Sequence, residues 1–135
     1  MTLVHLQEYY ARGWHPLPLP PRAKTPPPGG YTGAHGTDAT PEELAAWAQQ
    51  YPPDSNIALR MPDGVIGLDV DSYGNEPGAE TLGALVQQLG PLPQTWVSTS
   101  RGSAEGPGSS GIAFYRVPAG LTARSLGGEG IEIVQ

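Results

Sequence analysis

Residues 65–71 read Val-Ile-Gly-Leu-Asp-Val-Asp, and this run constrains the fold more than any other stretch. Branched apolar residues at alternate positions carry the period of a β-strand. Alternation sets Ile66, Leu68 and Val70 on one face and Gly67, Asp69 and Asp71 on the other. A chain with this run must therefore build a sheet that packs one face and leaves the other polar. The two acidic α-carbons fall about 6.5–7 Å apart on the polar face, close enough to share a divalent cation. Without a cation, like charges this near in a sheet cost stability. Taken alone, an Asp-x-Asp of this kind is more often two solvated acids at a strand end, so its neighbours in the sequence must decide its meaning.

The chain has 135 residues, one domain's worth and enough to bury a core. Its 16 prolines and 19 glycines make up about a quarter of it. Nearly half of them fall in residues 16–36 and 101–111, which reads as loops around a folded core. With no cysteine, disulfides, thiolate catalysis and Cys-ligated zinc are all excluded. No segment approaches the ~20 apolar residues of a membrane span, and the N-terminus lacks a signal-peptide profile, so a cytoplasmic location is the default expectation. A formal net charge of -6 argues against a generic nucleic-acid coat. It is compatible with acids that hold metal ions, because the ions reverse the local field.

In chain order, Thr2 can cap a first helix with Leu3, Leu6 and Tyr10 on one face, closed by Gly13. Residues 14–20, Trp-His-Pro-Leu-Pro-Leu-Pro, lack too many donors for a central strand and suit an edge or extended segment. His5, His15 and His35 show no metal-ligand spacing and read as structural or surface histidines. Residues 21–39 form a long loop holding Lys24, the only lysine, either a phosphate contact or a solvated surface charge. The glycines at 30, 33 and 36 are not a phosphate loop, since no strand precedes them and no Gly-Lys-Ser/Thr follows.

Thr40-Pro41-Glu42-Glu43 is a capping box that opens a helix with Leu44 and Trp47, running to about Gln50 and stopped by Tyr51-Pro52-Pro53. Residues 56–60 read as a strand, and Pro62-Asp63-Gly64 as a hairpin turn into the Asp69 strand. A helix over 79–89 should bury Leu82, Leu85, Val86 and Leu89 before Gly90 and Pro91 end it. Strands are expected over 95–100, 111–117 and 130–135. In the second of these Ile112 and Phe114 share one face and Ala113 and Tyr115 the other; in the third Glu132 opposes Ile131 and Ile133. No exit loop or capping helix follows, so residues 1–135 are expected to be part of a longer polypeptide. The pattern predicts an α+β fold, a mainly antiparallel sheet flanked by helices. Asp69, Asp71 and Glu132 are three acids on strands, the donor set that two Mg²⁺ or Mn²⁺ ions need for in-line phosphoryl or nucleotidyl transfer.

At this point the chain resembles the N-terminal domain of bifunctional DNA primase-polymerases, in the archaeo-eukaryotic primase superfamily. Residues 9–19, Tyr-Tyr-Ala-Arg-Gly-Trp-His-Pro-Leu-Pro-Leu, and then Lys24-Thr25-Pro26 are similar to that domain's opening. Asn56-Ile57-Ala58-Leu59-Arg60 followed by Gly67-Leu68-Asp69-Val70-Asp71 resembles its first catalytic motif. Ser98-Thr99-Ser100-Arg101-Gly102 and Ser110-Gly111-Ile112-Ala113-Phe114-Tyr115-Arg116 resemble the second, and Gly130-Ile131-Glu132-Ile133 the third acidic strand.

The resemblance implies a primase-like (RRM-like) catalytic core in which Asp69, Asp71 and Glu132 are catalytic and ligate Mg²⁺ or Mn²⁺. It implies that Ser100, Arg101, Ser110 and Gly111, with Lys24 and Arg116, receive a nucleoside triphosphate, and Arg suits such oxygens. The partners it implies are nucleoside triphosphates, a single-stranded or primed DNA template, and a C-terminal helicase domain in the full-length protein. One departure concerns the histidine of the family's second motif, in a small-x-His pattern that contacts the nucleotide's phosphates. Counted from Gly111, that position falls on Ala113, which can neither donate a hydrogen bond nor carry charge. Alternation sets Arg116 away from position 113, which leaves Arg101 as the preferred substitute. The expectation is a primase/polymerase that transfers nucleotides in DNA replication. Its alternatives are a catalytically impaired nucleotide- or DNA-binding module of the same fold and a two-metal nuclease.

Overall fold

Nine elements form in the computed structural model, which describes residues 3–33, 35–99, 110–118, 120–121 and 128–135. The chain divides into two compact units, Met1–Pro62 and Asp63–Gln135.

The first unit opens with helix α1, Leu3–Ala11. It is closed by Gly13 at φ 82°, whose N–H donates to the Tyr10 carbonyl, as Trp14 N–H does to Tyr9. The Thr2 cap lies outside the described residues. Leu6 is buried as expected, whereas Tyr10 is exposed. Strand β1, His15–Pro21, pairs antiparallel with β2, Ser55–Arg60, in a two-stranded sheet with His15 opposite Arg60 and Leu17 opposite Ala58. Successive backbone N–H groups point to opposite edges of a strand. Pro16, Pro18 and Pro20 stand at every second position, so their missing donors fall on the edge turned away from β2, while Pro21 lies past a register shift at the strand's end. The prolines thus permit one partner and refuse a second, and the expectation of an edge strand holds.

Helix α2, Pro41–Gln50, begins on the expected capping box. Thr40 Oγ1 accepts from Glu43 N–H at 3.3 Å, and the Glu43 carboxylate accepts from Thr40 N–H at 2.8 Å. Leu44 and Trp47 pack with Leu6, Leu17 and Ala39 in the core of this unit. Tyr31, from the long loop, meets the Trp47 ring edge-on at 5.0 Å and donates its hydroxyl hydrogen bond to Glu43.

The second unit holds a four-stranded sheet in the order β4-β5-β3-β6 and one helix. Its strands are β3 (Val65–Val70), β4 (Val97–Ser98), β5 (Gly111–Arg116) and β6 (Ile131–Val134), all paired antiparallel. Helix α3, Gly78–Leu89, packs Leu82 against Val70 and Ile131, with Leu68, Leu85, Val86 and Leu92 around them. This is the α+β fold the residue pattern predicts. Three local expectations change. Residues 62–64 are not a hairpin turn, because β2 pairs only with β1 while β3 lies between β5 and β6. Gly64, at φ 77°, instead closes the β3–β5 ladder, its carbonyl accepting from Val117 N–H at 2.9 Å. Leu89 is 82% exposed because it stands on the last turn of α3, beyond the Leu82 contact with the sheet. The expected strand over 95–100 is two residues long, although Phe114 N–H still donates to the Trp96 carbonyl and carries the ladder one pair further.

Two predictions follow from local geometry. Asp71 N–H donates to the Gly130 carbonyl at 2.8 Å, and Gly78 N–H donates to the Asp71 carbonyl at 2.9 Å. A Cβ on Gly78 would sit 2.5 Å from the Gly130 carbonyl oxygen and closer still to that of Asp71. Gly78→Ala is therefore expected to cost about 1–3 kcal/mol in urea unfolding, as backbone atoms must move apart. The Glu43 carboxyl is held below its ordinary value near 4.5, first by the Tyr31 hydroxyl and then by Thr40 N–H. A lowered acid contributes stability that is present above its unfolded value and lost as pH falls through the folded one. The urea midpoint of the natural protein should thus fall more steeply below pH 4.5 than that of Glu43→Gln.

Candidate active site

Opposed residues of an antiparallel pair share a face, so register decides which side chains meet. Asp69 on β3 lies opposite Glu132 on β6 and opposite Ile112 on β5, and Ile112 lies opposite Ser98 on β4. One row therefore crosses all four strands as Ser98, Ile112, Asp69, Glu132. Across such a pair the β-carbons are about 4.5–5.5 Å apart. The next row, on the opposite face, is Val97, Ala113, Leu68 and Ile133, the apolar side that faces α3. The sheet thus keeps acids and core on separate sides, as the alternation in 65–71 requires.

Asp71 stands one residue past β3, at the junction with Gly78 and Gly130. Two glycines far apart in the chain let three backbone segments converge there, and nothing in the sequence pattern pointed to them. Alternation returns Asp71 to the face of Asp69. Next to it, Ser72 N–H donates to Ser110 Oγ at 3.0 Å, which fixes the start of β5 beside the acidic turn. Gly111 is demanded by close packing, since a Cβ there would lie 2.7 Å from the Ser98 carbonyl oxygen.

Ser110 and Gly111 thus lie beside the acids, and Arg116 is exposed on the same face, opposite Val65. Ser100 and Arg101 lie outside the described residues. Lys24 is exposed on the loop of the first unit, where the preceding residue, Ala23, accepts from Asn56 Nδ2 at 3.0 Å. The two segments 24–26 and 56–60 are therefore tied together. In the same unit the Asp38 carboxylate accepts from Arg60 and lies 3.5 Å from His15 Nδ1, a cluster the sequence reading missed because Asp38 carries no motif.

Three carboxylates, two of them on directly opposed residues, are the kind of oxygen donors a hard cation takes. Among the described residues, no three His, Asp or Glu side chains are drawn together tightly enough to hold an ion by themselves.

The comparison with protein families returns one match, bifunctional DNA primase/polymerase, N-terminal, over residues 6–134. The chain belongs to this family. No curated protein and no solved structure matched it. No helix among the described residues is long and apolar enough to cross a membrane.

In this primase/polymerase domain the register sets positions 112 and 113 on opposite faces of the sheet. Ala113 is opposite Leu68 and 5% exposed, on the face turned away from Asp69. Ile112 is the residue that shares a row with Asp69. Arg116 shares that face too, so the ground for preferring Arg101 over it disappears. Ala113→His is accordingly expected to destabilise the fold by about 1–3 kcal/mol through overpacking. Ile112→His should unfold close to the natural midpoint. Paired urea titrations of the two variants check the assignment.

Proposed function

We propose that this domain is a metal-dependent nucleotidyltransferase that extends a primer or DNA strand along a template from nucleoside triphosphates. The observation that carries this reading is Asp69 opposite Glu132 on the face of the sheet away from α3, with Asp71 two residues on. Mg²⁺ or Mn²⁺, held by Asp69, Asp71 and Glu132, would acidify the attacking hydroxyl and stabilise the leaving pyrophosphate. The chain's own groups bind and orient. Ser110 accepts from Ser72 N–H, so its O–H remains a donor for a phosphate oxygen at the rim of the acidic turn. Arg116, exposed on the same face, brings positive charge to the triphosphate, and Ser100, Arg101 and Gly111 are assigned to the same ligand on the motif resemblance. The three acids exclude bare anions until a cation is bound, which makes nucleotide binding depend on metal.

A second reading has one specific observation in its favour. Ile112 fills the position beside Asp69 with an apolar side chain, which supplies neither donor nor charge to a phosphate. On that reading the domain binds nucleotide or DNA without turnover.

Primer extension with Mn²⁺ and labelled nucleotides separates the two. The natural protein should incorporate nucleotide, and Asp69→Asn should lower the rate by more than about 100-fold, since several kcal/mol of charge stabilisation depend on the cation. DNA binding with no incorporation in the natural protein overturns the catalytic reading in favour of the second. Loss of labelled DNA without incorporation would mark a two-metal nuclease.

A further inference from the structure

Trp96 is 87% exposed, the most open large hydrophobic side chain among the described residues. A large ring left in water on an otherwise ordered strand end calls for a partner. Its position in the sheet is defined. Val97 lies opposite Ala113 and Ser98 opposite Ile112, and the Phe114 N–H to Trp96 carbonyl bond extends the ladder so that Trp96 faces Phe114. Thr95 Oγ1 holds the same turn by donating to the Phe114 carbonyl. Trp96 and Ser98 are two residues apart and both exposed, so Trp96 shares the face of the acid row.

The face then has three rows. The first is Ser98, Ile112, Asp69 and Glu132; the second is Trp96, Phe114, Gly67 and Val134; the third holds Arg116 opposite Val65. An aromatic and apolar row thus lies directly beside the carboxylates, with a cation one row further on. The α-carbon of Trp96 is two strands and one row from that of Asp69, about 12 Å by standard sheet spacings. That is a span of a few nucleotides of single strand. Gly67 lets the floor between Phe114 and Val134 lie flat.

We propose that Trp96 is a stacking platform for an unpaired base of single-stranded DNA laid across this face. The occupant follows from the chemistry of the row and the template of the proposed reaction: aromatic rings accept the faces of any base. A chain of net charge -6 has little general attraction for a polyanion, so a neutral stacking contact carries a large share of the affinity. The assignment rests on the template-directed reading for its purpose, but its test needs neither metal nor turnover.

Anisotropy of fluorescently labelled oligo-dT, measured on the full 135-residue chain in EDTA, reads binding alone. Trp96→Ala should weaken binding roughly 5- to 100-fold, and Trp96→Phe should recover most of it. Because the ring is exposed, both variants should keep the natural urea midpoint. Binding of oligo-dT should quench the intrinsic tryptophan fluorescence, and this quenching should be absent in Trp96→Phe. Free dTTP at the same base concentration, added with Mg²⁺ in place of EDTA, should leave the signal unchanged. Oligo-dT affinity in Trp96→Ala within twofold of the natural protein overturns the proposal. Equal quenching by dTTP and oligo-dT overturns it in favour of an incoming-nucleotide site. Absence of primer extension with the Trp96 effect intact would instead count against the catalytic reading and leave this one standing.

Discussion

Two carboxylates on neighbouring strands, Asp69 and Glu132, face each other across one antiparallel pair, and the second unit is built so that they stay there. Their mutual repulsion opposes the pairing of β3 with β6. The residues that overcome it are their immediate neighbours in sequence. Val70 and Ile131 are opposed on the other face, and both are buried against Leu82 of α3. Each such side chain contributes about 1.5–3 kcal/mol when fully buried, more than a like-charge pair costs. A slip of one residue in register would bury the acids and expose the core together. The same alternation that stabilises the unit therefore fixes which face carries the chemistry.

The end of β3 shows how backbone packing serves the same purpose. Asp71 is bonded to Gly130, just before β6, and to Gly78, at the start of α3. These contacts are possible only because both partners lack a Cβ. The third acid thus takes its position from a junction of main chains. Ser110, reached by Ser72 N–H, adds β5 to the same corner. The first unit solves a different problem. Its prolines leave β1 with one competent edge, and α1, α2 and Tyr31 cover the apolar face that Leu17 presents.

Much of this was legible in the residues because it depends on short-range physics. The capping box at Thr40 and Glu43, the alternation in 65–71, the proline-limited edge strand and the glycine stop after Leu89 each follow from a few neighbouring residues. The family resemblance was likewise carried by local motifs, and the match over residues 6–134 bears it out. The face of each residue near the second motif was less legible, because one residue in a strand is the difference between two faces.

The sequence alone determined most of the elements and the side of β3 and β6 that would be apolar, since hydrophobic period and turn chemistry are written residue by residue. Only the tertiary structure decided which strands became neighbours. It placed β3 between β5 and β6 rather than beside β2, set Ile112 and not Ala113 beside Asp69, and brought Gly78 and Gly130 against Asp71. The reason is that pairing partners are chosen by the burial of a shared core, and that burial is a property of the assembled sheet and helix, which no local stretch contains.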